Sequence, residues 1–158
     1  MIDIKDKTLL ITGGTGSFGE TILNHFLHTE IGEIRIFSRD EKKQEDLRLK
    51  YKNSKINFII GDVRDFKSIN QALYGVDYLF QAAALKQVHT CEFFPLQAIQ
   101  TNILGSENVL EAAIQNKVAR AVCVKRRKGN PTTGNVIAPL VLNPLLSTDT
   151  QKELLPEV

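Results

Sequence analysis

The stretch Thr8-Leu9-Leu10-Ile11-Thr12-Gly13-Gly14-Thr15-Gly16-Ser17-Phe18-Gly19 decides how this chain folds. Its first five residues form a short apolar run, the pattern of a strand buried on both faces. Glycines end the run, and Phe18, Ile22, Leu23, Phe26 and Leu27 then recur at helical spacing. In the series Gly13-x-x-Gly16-x-x-Gly19, the first glycine permits a tight turn. The middle one lets the backbone come close to a bound group, and the last lets the helix pack on the strand. The helix start also presents unpaired N–H groups and a partial positive charge, which suit phosphate.

The same alternation continues downstream. Ile34, Ile36 and Phe37 mark a second strand closed by Ser38-Arg39-Asp40, and the charged residues 41–52 suit a solvent-facing helix. Residues 56–60 read as a third strand stopped by Gly61-Asp62. Ile69, Ala72 and Leu73 outline a short helix, and residues 76–80 a fourth strand running into Ala82-Ala83-Ala84. After Pro95 a long helix is expected, with Ile99, Ile103, Leu110 and Ile114 on its apolar face, and residues 118–124 complete a fifth strand. Strands alternating with helices in this way predict a doubly wound parallel α/β sheet of about five strands, order 3-2-1-4-5: a Rossmann-type fold.

Composition sets the limits of that fold. At 158 residues the chain suits one domain, and 42% hydrophobic with 24% charged residues is the profile of a soluble globular protein. The net charge of +2 argues against a broad nucleic-acid surface. Residues 1–124 carry as many acidic as basic side chains, so the excess lies in the tail, mostly in Lys125-Arg126-Arg127-Lys128. Four of the five prolines fall after Val124, and no helical or strand period lasts there. The expected organisation is a dinucleotide-binding domain over 1–124 and an irregular tail over 125–158. The polar N-terminus fits no signal peptide, and the apolar run 136–146, broken by Pro139 and Pro144, is too short to span a membrane. Cys91 and Cys123 lack metal-type spacing, so no metal site is expected, and both read as reduced thiols of a cytoplasmic protein.

The candidate site gathers at the strand ends. Gly13, Thr15, Gly16, Ser17, Phe18 and Gly19 form the phosphate loop of a dinucleotide site. At the end of the second strand, where an acidic residue would hold an unphosphorylated ribose, stand Ser38 and Arg39, then Asp40, with Lys42 and Lys43 behind. A hydroxyl beside cations favours a 2′-phosphate, hence NADP over NAD. Asp40 leaves two other readings open, a grip on a bare ribose or a cap for the next helix. Asp62 and Val63 suit the adenine, and Ala82 opens a small-residue strand end against which a cofactor can lie.

Six segments together resemble a known family: residues 12–19, 35–44, 61–65, 82–88, 91–95 and 101–110. They are similar to the inverting UDP-N-acetylglucosamine 4,6-dehydratases. These are extended short-chain dehydrogenase/reductase enzymes, lyases of bacterial flagellin-sugar and capsule polysaccharide biosynthesis. The resemblance covers roughly residues 5–124, with 38–44 and 82–88 the most specific segments. It implies NADP contacts from Thr15, Gly16, Ser17, Phe18, Ser38, Arg39, Asp40, Glu41, Lys42, Lys43, Asp62, Val63, Ala82 and Lys86, with Lys86 also facing a UDP-sugar substrate. A homo-oligomer is expected, through the open apolar edge of the fifth strand or through the Phe93-Phe94 region.

The chain departs from the family in two places. His89 stands where the family has proline, and after Val124 the family's Ser-Thr-Asp-Lys and its Tyr- or Met-x-x-x-Lys segment are replaced. Leu146-Ser147-Thr148-Asp149 echoes the first of these too late in the chain to serve as a site. No catalytic residue is therefore assigned. The resemblance implies a truncated dehydratase, inactive alone; the alternatives are a nucleotide-sugar epimerase of the same superfamily and a non-catalytic NADP-binding or interaction module.

Overall fold

The computed structural model describes residues 4–85, 88–127 and 136–142. The expected alternation is present: β1 (Thr8–Thr12), α1 (Ser17–Leu27), β2 (Glu33–Ser38), α2 (Glu41–Tyr51), β3 (Ile56–Ile60), α3 (Phe66–Ala72) and β4 (Tyr78–Gln81). Three helical pieces follow, α4 (Val88–Phe93), α5 (Pro95–Ile99) and α6 (Gly105–Gln115), with a π-helical turn over Gln100–Leu104 between the last two. The strands β5 (Arg120–Arg127) and β6 (Val136–Leu142) close the described chain.

The sheet order is β3-β2-β1-β4-β5-β6. The first five strands are parallel, in the order expected. β1 lies between β2 and β4, Ile11 standing opposite Ile36 on one side and Phe80 on the other. Its alternation splits the core in two. Leu9 and Ile11 join Leu23, Ile31, Ile34 and Ile36 on one face. Leu10 joins Phe37, Ile69, Leu73, Leu79 and Val109 on the other. Period-two side chains feed both layers because helices cover both faces.

Two expectations need correction. The first concerns the helix after Pro95, whose Ile99, Ile103 and Ile114 are exposed. The packed face consists of Thr101, Gly105, Val109, Ala112 and Ala113. Small residues let the backbone come close to its neighbours, and a Cβ on Gly105 would meet Val63 Cγ2 at 2.8 Å. The second concerns the tail, where a strand was not expected. β5 runs on through Arg127, and β6 pairs antiparallel with it, Pro139 opposite Val124. Proline lacks an N–H to donate, and an outermost strand tolerates it because one side needs no partner. The tail expected over 128–135 and 143–158 lies outside the described residues. Among the described residues, no helix is long and apolar enough to cross a membrane.

Candidate functional site

A cleft of about 730 Å³ opens at the carboxyl ends of β1 to β4. This is where the strand order reverses, the place at which doubly wound sheets bind ligands. Most of the residues singled out in the sequence meet there. Gly13, Thr15, Gly16, Ser17 and Phe18 form one wall, and Ser38, Arg39, Asp40 and Lys43 another. Asp62, Val63 and Ala82 complete the lining. Gly19 lies beneath the loop and does not line the cleft, while Glu41 and Lys42 project from the first turn of α2, exposed and outside it. Lys86 lies outside the described residues.

The loop glycines separate by cause. Gly13 has φ +63°, and a Cβ there would sit 2.8 Å from the Ala83 backbone. On Gly19 a Cβ would fall 2.5 Å from Gly14 Cα, so this glycine brings α1 against the loop. Gly16 differs. It caps α1 with extended backbone, φ −83° and ψ 161°, and a Cβ would meet nothing closer than Gly13 O at 3.4 Å. Neither backbone conformation nor packing requires a glycine at 16. Its bare Cα leaves room in the cleft at the start of α1, where the helix points its first-turn N–H groups.

A buried polar pair supports the loop from below. The Thr12 hydroxyl donates to Gln81 Oε1 and accepts from the backbone N–H groups of Ala82 (3.2 Å) and Ala83 (3.3 Å). Gln81 Nε2 donates in turn to Ala83 O at 3.3 Å. The ends of β1 and β4 are thereby tied side by side, and the alanine run is held flat against Gly13.

At the β2 end, Asp40 serves as the cap of α2, accepting from the Lys43 backbone N–H at 3.0 Å. That hydrogen bond, together with the charges of Lys43 and Lys42, holds its carboxyl below the ordinary aspartate value. Lys43 Nζ stands 3.4 Å from Asp40 Oδ2, and Arg39 Nη1 lies 3.6 Å from Asp62 Oδ2. Arg64 holds Asp62 more tightly, at 2.6 Å from side chain to Oδ2 and 2.9 Å from its backbone N–H to Oδ1. Burial works to raise the Asp62 carboxyl, but the bonds from Arg64 and the charge of Arg39 outweigh it and keep the group low. The site thus holds one carboxylate occupied by arginines and a second occupied by a helix start, with Ser38 between the strands.

Thr101 in the cleft and Gln44 beneath it were not singled out in the sequence. Thr101, 5% exposed, lines the cleft from the π-helical turn, and its hydroxyl has no hydrogen-bond partner among the described residues. Gln44 is buried beneath Ser38 in an otherwise charged helix, where a single amide reads as one more polar residue. Cys123 is half-buried, and burial pushes its thiol up to about 11, so it stays protonated and inert at neutral pH. Among the described residues no cluster of His, Cys, Asp or Glu could hold a metal ion.

Fold and cleft together define a Rossmann-type α/β protein with a glycine-loop cleft at the sheet's switch point. More specifically, the chain belongs to the family described as polysaccharide biosynthesis protein, whose pattern matches residues 9–136. Curated relatives named UDP-glucose 4-epimerase share 62% identity in Rickettsia felis and 61% in Rickettsia canadensis, in each case over 127 residues and 78% of this chain. The chain spans 37% of the length of these relatives. Among solved structures, Pen from Bacillus thuringiensis superposes with a TM-score of 0.75 at 40% identity, covering 77% of this chain and 38% of that one. The UDP-glucose 4-epimerase of Thermus thermophilus, solved with NAD, gives 0.62 at 25% identity over 70% of this chain and 35% of that one. The curated relatives at 61–62% identity thus carry the name of a nucleotide-sugar epimerase.

Proposed function

We propose that this chain supplies the cofactor half of a nucleotide-sugar enzyme of polysaccharide biosynthesis, and that its cleft binds NADP. The observation that carries the reading is Gly16, a glycine required by nothing in the fold and open to the cleft at a helix start. The pyrophosphate would lie on the N–H groups there, and the adenine against Asp62 and Val63. Arg39, Ser38 and Lys43 would meet a 2′-phosphate, while Asp40 is engaged in capping α2 and pairing with Lys43, and Asp62 in pairing with Arg64. Lys86 remains the candidate contact to both cofactor and UDP-sugar. Free Cys91 and Cys123 fit a cytoplasmic setting, and a homo-oligomer is the expected assembly.

Of the two reactions, epimerisation at the sugar C4 has the better support, because the relatives at 61–62% identity carry that name. The 4,6-dehydratase implied by the sequence resemblance is the second reading. Both begin by oxidising the C4 hydroxyl, and the nicotinamide, when bound, accepts the hydride. They differ afterwards: hydride returns to C4 from the other side in the epimerase, whereas water leaves across C5 and C6 in the dehydratase. The cleft residues would hold the cofactor end; no acid–base pair for the sugar is found among the described residues.

Calorimetric titration of the chain with NADP and NAD tests the cofactor. NADP should bind roughly tenfold or more tightly, and Arg39→Ala should abolish the difference. Equal affinities in the unmutated chain overturn the NADP reading. Supplying the C-terminal remainder of a Rickettsia relative, with NADP and UDP-glucose or UDP-N-acetylglucosamine, tests the reaction by NMR. The C4 epimer supports the first reading and a 4-keto-6-deoxy product the second. Binding without either product marks a non-catalytic module.

A further inference from the structure

We propose that Gln44 is a positioning residue for cofactor choice, turning the Ser38 hydroxyl into a hydrogen-bond donor aimed at the cleft. The proposal rests on the NADP reading above and extends it from the charged groups to a neutral one.

The argument is one of donors and acceptors. Gln44 is 2% exposed, so the direction of its amide is set by its neighbours and not by water. Its Nε2 lies 2.9 Å from Ile59 O and 3.1 Å from Ser38 O. Both are carbonyl oxygens, which can only accept, so the atom facing them must be the NH2 group. The same Nε2 stands 3.1 Å from Ser38 Oγ. The two protons of Nε2 serve three oxygens, one going to Ile59 O and the other shared between Ser38 O and Ser38 Oγ. At that contact Oγ can only accept, so its own O–H proton must go elsewhere. Among the described residues no acceptor takes that proton, and Ser38 lines the cleft. A buried hydroxyl with a spare proton calls for an acceptor. A phosphate oxygen is an acceptor only, and a charged one gives the stronger bond. A bare ribose hydroxyl is a weaker match, since sites that choose it offer an acceptor.

Gln44 also ties α2 to the ends of β2 and β3, which is a structural task. The test must therefore read selectivity and not affinity alone. NADP and NAD dissociation constants are measured for the unmutated chain, Ser38→Ala, Ser38→Thr, Gln44→Met and the double variant Ser38→Ala/Gln44→Met, with thermal unfolding as a control. In Ser38→Ala the NADP-to-NAD preference should fall roughly tenfold, while Ser38→Thr, which keeps the hydroxyl, should retain most of it. Gln44→Met should lower the preference in the unmutated background and leave it unchanged in the Ser38→Ala background.

The proposal is overturned if Ser38→Ala keeps the full preference, an outcome that does not depend on whether Gln44→Met folds. It is also overturned if Gln44→Met weakens both cofactors equally, or if it lowers the preference as much without the hydroxyl as with it. An unmutated chain that binds both cofactors alike removes the NADP reading itself, and is thus distinguished from failure of the Gln44 proposal alone.

Discussion

Gly16 and Gly19 occupy one loop, yet an added methyl group should harm them in different ways. At Gly19 it falls 2.5 Å from Gly14 Cα and 2.7 Å from Gly13 O, both backbone atoms. Neither can swing aside, so Gly19→Ala should cost roughly 1–3 kcal/mol of stability. At Gly16 the methyl meets only ordinary contact, so Gly16→Ala should change the urea midpoint little and weaken NADP roughly tenfold or more. A Gly16→Ala chain that binds normally would remove the main support for a pyrophosphate at that point. Asp62 gives a second residue-scale prediction, in pH. Its carboxyl is held low, so its stabilising contribution is complete above the ordinary aspartate value of about 3.9 and is lost as pH falls through the lowered one. Asp62→Asn should be less stable than the unmutated chain at neutral pH, and the gap measured by circular dichroism should close in acid. A gap independent of pH would show that the Arg64 and Arg39 pairings contribute nothing. At this scale the sequence was informative where backbone geometry dictates the residue, as at Gly13 and Gly19. It was silent where one buried amide, Gln44, sits among charges.

At the scale of elements, strands were more legible than helices. Each parallel strand announces itself by a short apolar run and a stop, both local, and β1, β2 and β3 fall where expected. The helix after Pro95 misled because hydrophobic periodicity weighs large side chains. The packed face here is built from Gly105, Val109, Ala112 and Ala113, and the π-helical turn over Gln100–Leu104 shifts the register ahead of it. Val109 is fully buried and Ile114 is 56% exposed. Val109→Ala should therefore destabilise the chain by about 2 kcal/mol, whereas Ile114→Ser should stay within about 0.5 kcal/mol. Thermal or urea unfolding of the two variants checks the assignment, and the opposite ranking would restore the isoleucine face as the core. β6 escaped notice for a different reason: Pro139 within it and Pro144 just beyond it argue against a strand in isolation, and only the antiparallel pairing to β5 makes the apolar run one.

For the whole molecule, the exposed apolar surface sets the behaviour to expect in solution. The sequence suggested two sticky regions, the open edge of the fifth strand and the Phe93-Phe94 region. Pairing with β6 covers the first. The second remains, and it is wider than the phenylalanines alone: Leu96, Ile99, Ile103 and Leu104 are also exposed on α5 and the turn that follows it. Solitary exposed apolar residues are ordinary, but a group of this size along one stretch of helix is the kind of surface on which association is expected. The simplest occupant is a second copy of this chain, because twofold self-contact needs only one such patch. Burying even two of these side chains on each copy offers several kcal/mol at about 1.5–3 kcal/mol apiece. Light scattering on a sizing column should show the average mass rising with concentration, and Leu96→Glu with Ile103→Glu should return it to the monomer without changing cofactor affinity. The unmutated chain remaining monomeric at the highest soluble concentration would assign that surface to some partner other than itself.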